Sequence, residues 1–364
     1  VNNQGGAQTR TFNVNTTQGS AIFSGVLSNS NTTTFNKTGL GTLLLSGTNT
    51  LTNTTTFGLS AGVLQINAAA SLGSGAISFG GGVLQVNTTA PVLLGGSILM
   101  TAVGGVDVVS GGSVTLSNPV LGAFSLTKTG PGSLILTGTA STNSSMVIGG
   151  APLATAANQT SGVSGGTVST TATGGNVFGT GTITVNGGVL SLVGGSTAQA
   201  ISVGTLNFGG GSYIQLNAAT TSSKLTVATL TRNNLGTLTL LSGTLVNVGS
   251  IETLALGGTS SYLNTGSMLT TPNVYIRLAG TGQDAEFAQL GSLSGTWGFK
   301  AQTALTTNTL SASGTLSVGT IATSGTVGAG TISLLALKVS GSTISSGTAS
   351  LRARSSVRHL DNFG

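Results

Sequence analysis

Cysteine is absent from the 364 residues, and charge is nearly so. Without thiols there is no disulfide and no thiolate metal site, so hydrogen bonds and packing alone must hold the chain. Charged residues make up 4% of the sequence, against about a quarter in ordinary soluble domains. Lys and Glu, which cover exposed helix faces, are too scarce for a helical protein. Aromatics are also only 4%, which excludes the aromatic girdles of an outer-membrane barrel. No apolar run approaches the roughly 18 residues of a spanning helix; Leu334 to Leu337 is the densest short stretch. The reading is therefore of a chain with no transmembrane segment.

What fills the sequence is Gly, at 60 positions, with Thr, Ser, Asn, Val, Leu, Ile and Ala. Branching at Cβ suits Thr, Val and Ile to a pleated surface. Gly and Asn tolerate the positive φ of turns. A disordered Gly/Ser/Thr-rich chain would be poor in apolar residues, yet 38% are hydrophobic and mean hydropathy is +0.39. Burial of that surface offsets chain entropy once strands stack. A surface of hydroxyls and amides instead of charges predicts a secreted protein, and the opening at Val1 without a signal peptide is that expected of a mature or excerpted product.

The chain repeats itself. Gly62-Val63-Leu64-Gln65-Ile66-Asn67 returns as Gly82-Val83-Leu84-Gln85-Val86-Asn87. The stretch from Leu72 to Val86 matches Phe178 to Leu192, with a further echo from Leu206 to Asn217. A second motif, Lys37-Thr38-Gly39-Leu40-Gly41-Thr42-Leu43-Leu44-Leu45, comes back as Lys128-Thr129-Gly130-Pro131-Gly132-Ser133-Leu134-Ile135-Leu136, and in degraded form from Leu235 to Leu240. Within each unit apolar and small polar residues alternate, then break at Gly or Asn. Period-two alternation predicts strands with one buried face.

A spacing near twenty residues predicts an all-β parallel β-solenoid, one coil per repeat. About eighteen coils at roughly 4.8 Å would form a rod about 85 Å long. The alternative is a row of antiparallel β-sandwiches. The predicted organisation is a repeat-bearing region over 1–250, a less regular β-rich region over 251–350 and a basic polar tail over 351–364. One helical turn or two is expected at Gln283 to Leu290. From Thr303 to Ser350 a shorter rhythm appears, Gly-Thr followed by an apolar residue every five or six positions, too short for the earlier unit.

The order K-T-G-x-G-[TS]-L, then Gly-Val-Leu-Gln-Ile-Asn, then Leu-Gly-Ser-Gly, resembles the autotransporter-associated β-strand repeat. One copy runs from Phe35 to Val86 and a more diverged one from Leu126 to Leu192. The resemblance implies a β-helical passenger region of a secreted or surface protein of a Gram-negative-type bacterium. It carries no catalytic residues to transfer.

Chemistry is thinly supplied. The acids are Asp107, Glu252, Asp284, Glu286 and Asp361, and the only histidine is His359. Asp284 and Glu286 alone are near enough in sequence for a carboxylate pair. Metal-ligand clusters and phosphate-loop signatures are missing. The expectation is no enzyme, no cofactor and no metal. Eleven basic residues give a net charge of +6, too dilute for a nucleic-acid stripe. Arg352, Arg354 and Arg358 form the one basic cluster, a candidate contact for an anionic ligand or a neighbouring subunit. Phe12 and Val14 alternate along a candidate assembly strand. The expected role is an extracellular subunit that assembles with copies of itself into a filament, sheath or surface layer. The alternative is an adhesin contacting cell-surface or matrix polysaccharide, with a polysaccharide-cleaving enzyme a distant third.

Overall fold

In the computed structural model the chain is almost wholly β. The structure describes residues 6–15, 19–29, 31–150, 165–194, 196–217, 221–242, 248–257, 274–278, 286–293 and 296–301, together with strand segments between 309 and 353. The only helical element among these is a single 3-10 turn, Ala69–Ser71. Strands follow one another around a coil, and within the stack a strand pairs in parallel with the one a coil earlier and the one a coil later, the end strands with one of these. This is the β-solenoid that alternation and repeat length predict, and the sandwich alternative is set aside. The step is set by register: Val63 lies opposite Val83, which lies opposite Gly105, steps of 20 and 22 residues. Later steps lengthen, Thr205 facing Thr229 after 24 residues. About ten coils of some 22 residues result.

Three faces carry the ladders. Face A stacks Gln8–Asn13, Thr33–Thr38, Thr55–Leu59, Ala76–Phe79, Ile98–Met100 and Val120–Gly122. Face B begins at Ser20–Phe23 and runs through Thr42–Leu45, Val63–Ile66, Val83–Val86, Gly104–Val108 and Ser125–Thr129. Face C begins at Val92–Leu94 and continues through Ser113–Leu116, Ser133–Leu136 and Thr167–Thr170 to Val274–Leu278. Inward side chains form continuous files, such as Phe35–Phe57–Ile77–Ile98–Val120 on face A and Leu43–Leu64–Leu84–Val106 on face B, all buried in one core.

The repeated motifs change faces along the axis. Lys37 and Thr42 flank the corner between A and B, whereas Lys128 and Ser133 flank the corner between B and C. Gly-Val-Leu sits on B at Val63 and Val83 but on C at Val189. Gly104–Val108 is the junction: it bonds to a second-strand copy, Val83–Val86, on one side and to a first-strand copy, Ser125–Thr129, on the other. Face C starts, and face A ends, within a coil of it.

The parallel ladders continue past residue 250 through Glu252–Leu256 and Val274–Leu278. An antiparallel hairpin, Glu286–Leu293 with Thr296–Ala301, then lies across their ends. The helical turn expected at Gln283 to Leu290 is corrected: its described part, from Glu286, is strand. Pairing with Val274–Leu278 supplies the partners that local helix propensity would otherwise have provided. Beyond it a second parallel set has a finer gauge. Thr309 faces Thr326 and Gly325 faces Ile344, steps of 17 and 19 residues. These strands fall into three separate sheets, so each of the described strands is one side of a smaller coil.

Candidate functional site

The first coil holds the sequence-predicted assembly residues. Phe12 is half-buried, its ring edge-on to Phe23 at 5.8 Å and stacked on Phe35 at 6.0 Å. Phe35 stacks in turn on Phe57 at 5.7 Å. Val14 packs against the core, and its N–H donates to the Thr38 carbonyl at 3.1 Å while its own carbonyl accepts from Gly41 at 2.8 Å. Both residues therefore complete their own chain's first coil.

The other side of that coil is an edge. Gln8–Asn13 and Ser20–Phe23 each pair with one strand only among the described residues. Gln8 N–H donates to Thr32 and Val14 N–H to Thr38, so even-numbered residues bond inward along the stack. Thr9, Thr11 and Asn13 direct their N–H and C=O groups outward from it. Arg10 occupies the register position of buried Phe35 yet is exposed, a cation where a further coil would place core.

The basic cluster divides. Arg352 lies in strand Ser350–Ala353, opposite Ser333; Arg354 and Arg358 lie outside the described residues. Of the carboxylate pair, Asp284 also lies outside them and Glu286 starts the hairpin, its backbone opposite Ile276. Among the described residues no group of three potential metal ligands gathers. Asn143, whose Asn-Ser-Ser sequence fits an N-glycosylation acceptor, is buried and donates to the Ser145 carbonyl at 2.9 Å.

The charged groups the sequence left idle turn out to hold corners. Lys37 is buried and its Nζ donates to the carbonyls of Thr38 and Gly39, each at 2.7 Å, and to Ala61 of the next coil at 3.2 Å. Lys128 repeats this toward Thr129 at 2.6 Å and Gly130 at 2.8 Å. Burial pulls both ammonium groups down to a pKa of about 8, and for Lys128 the Asp107 carboxylate opposes the fall. Asp107 is itself buried and accepts from Gln85 Nε2 at 3.1 Å. Arg232 stands at the same place in the degraded copy, its Nε donating to the Gly236 carbonyl at 2.7 Å. Buried Glu252 accepts from Ser242 Oγ. The available signal was the recurrence of Lys at one motif position in a chain with few lysines.

No protein-family model matches the chain, and no match was found among curated proteins or solved structures.

Proposed function

We propose that the chain is a non-enzymatic, extracellular structural subunit that assembles with copies of itself into a filament, sheath or surface layer. The observation that carries this reading is the first described coil, whose two neighbouring strands each pair with one strand only among the described residues and turn donors and acceptors away from it. Such edges accept a further strand unless blocked. Weak surface charge leaves little repulsion between copies. Lys37, Lys128, Asp107 and Glu252 are enclosed as structural members, a use of titratable groups that suits a scaffold. The reading also accords with the autotransporter-type repeat that the motifs resemble, and it places the protein at a bacterial surface. Thr11→Pro tests it. Thr11 N–H serves no ladder bond among the described residues, so proline there spares the fold while removing an edge donor. Negative-stain microscopy over a concentration series should show polymers of the unaltered chain and single particles of the variant. Single particles of the unaltered chain at every concentration would sink the proposal.

A further inference from the structure

Coiling gathers residues that look scattered in the sequence. On face C, Val189, Tyr213, Thr239 and Tyr275 succeed one another in register, and so do Ser191, Gln215, Leu241 and Arg277. Between these files runs a third, Leu190, Ile214, Leu240 and Ile276, which is buried in the core. The pleat therefore turns the first two files outward. From Tyr213 onward their members are half-buried, with part of each side chain reaching solvent. Two of the three tyrosines thus share one line, two coils apart, about 9.6 Å at roughly 4.8 Å per coil, with the Thr239 hydroxyl between them.

Positive charge accompanies the rings. Arg277 projects from the same face two residues beyond Tyr275, and the Arg232 charge acts on the Tyr275 hydroxyl. Tyr275 and Arg277 also interact with neighbouring groups. No acidic residue shares either file. The stripe follows the solenoid axis across a sheet face whose strands pair with one another, so an added β-strand is not the occupant it suits. An aromatic face offers a platform for the C–H face of a sugar ring, and a guanidinium offers a fork for a carboxylate.

We propose that this stripe binds an extended anionic polysaccharide, with Tyr213 and Tyr275 under sugar rings and Gln215, Thr239 and Arg277 meeting hydroxyls and carboxylates. The site lies on a side face and does not depend on assembly through the first coil. Affinity electrophoresis of the full chain through gels containing polygalacturonate, with dextran gels as the neutral control, tests it below the concentration at which the chain sediments as anything but a monomer. Retardation is expected in polygalacturonate and not in dextran. Tyr213→Ala with Tyr275→Ala, and separately Arg277→Gln, should weaken it about tenfold or more, and the paired Tyr→Phe changes should retain it. Circular dichroism checks each variant, and if the alanine pair unfolds, the Phe pair and Arg277→Gln decide. The proposal fails if the unaltered chain runs unretarded, if dextran retards it equally, or if Arg277→Gln binds like the unaltered chain. It fails too if only Arg352→Gln with Arg354→Gln and Arg358→Gln abolishes retardation.

Discussion

Gly39 and Gly130 turn their corners at φ of +72° and +74°, a region that costs other residues roughly 1–3 kcal/mol. A Cβ on Gly130 would also overlap Asp107 Oδ1 and the Val108 carbonyl of the preceding coil. Gly130→Ala should therefore destabilise the fold by about 2–3 kcal/mol, measured by denaturant unfolding; a loss within error would refute the overlap. In the degraded copy the equivalent residue is Asn234, at φ +52°, the other residue type that tolerates this conformation. The lysines of these corners make a pH prediction. Both are pulled from 10.5 to about 8 by desolvation, so between those values the unfolded chain binds more protons than the folded one. Stability then rises with pH across that window. Burial raises the Tyr275 pKa, a contribution of opposite sign that sets in once unfolded tyrosines ionise near 10. A melting temperature that climbs from pH 7.5 to 9.5, and stays flat in Lys37→Met with Lys128→Met, is the expected result. Equal slopes in both proteins would remove the lysines from the account.

Among elements, the strand from Gln8 to Asn13 matters most, because it is the outermost strand of face A among the described residues. Phe12 seals the core from that side, while Arg10 places a charge in line with Phe35, Phe57 and Ile77. An inward-register charge on an edge is a known guard against uncontrolled pairing. Assembly at this end must therefore offset Arg10 or pair around it. Arg10→Leu should lower the concentration at which polymers first sediment, by about tenfold if a desolvated charge costing ~1.4 kcal/mol is relieved. No change in that threshold would place the contact elsewhere. Elements were also where the sequence was most readable. Alternation through Thr33-Thr34-Phe35-Asn36-Lys37 assigns strand and inner face correctly, since Thr33, Phe35 and Lys37 are the buried residues. That same pattern hid Lys37 itself: an inward lysine reads as a break until its three carbonyl partners, one from the next coil, are seen. The helical reading near Glu286 failed because local propensity does not register the pairing that Val274–Leu278 and Thr296–Ala301 supply on either side.

Across the whole molecule, repeat length predicts the coil but not where each motif sits upon it. The transfer from the A/B corner to the B/C corner at Gly104–Val108 depends on one strand accepting different neighbours on its two sides, which no single repeat encodes. The two ends are also unlike. The first described coil has no strand on its outer side among the described residues, whereas at the far end Thr296–Ala301 pairs antiparallel with Glu252–Leu256, and Glu286–Leu293 pairs with Val274–Leu278. Ala288 and Phe299 drop into the core there. In a stack where each coil touches only its neighbours, such a hairpin covers edges and apolar surface together, so polymer growth through the first coil must meet a surface of the next copy other than the edges the hairpin pairs. A chain ended after Leu278 would expose both edges and lose the Phe299 seal. It should melt at a lower temperature than the full chain and sediment as oligomers where the full chain does not, and Thr11→Pro should fail to prevent this because the new edge lies at the opposite end. If the truncated chain stays monomeric with unchanged melting, the hairpin is an appendage, and the stack must terminate by its last parallel coil alone.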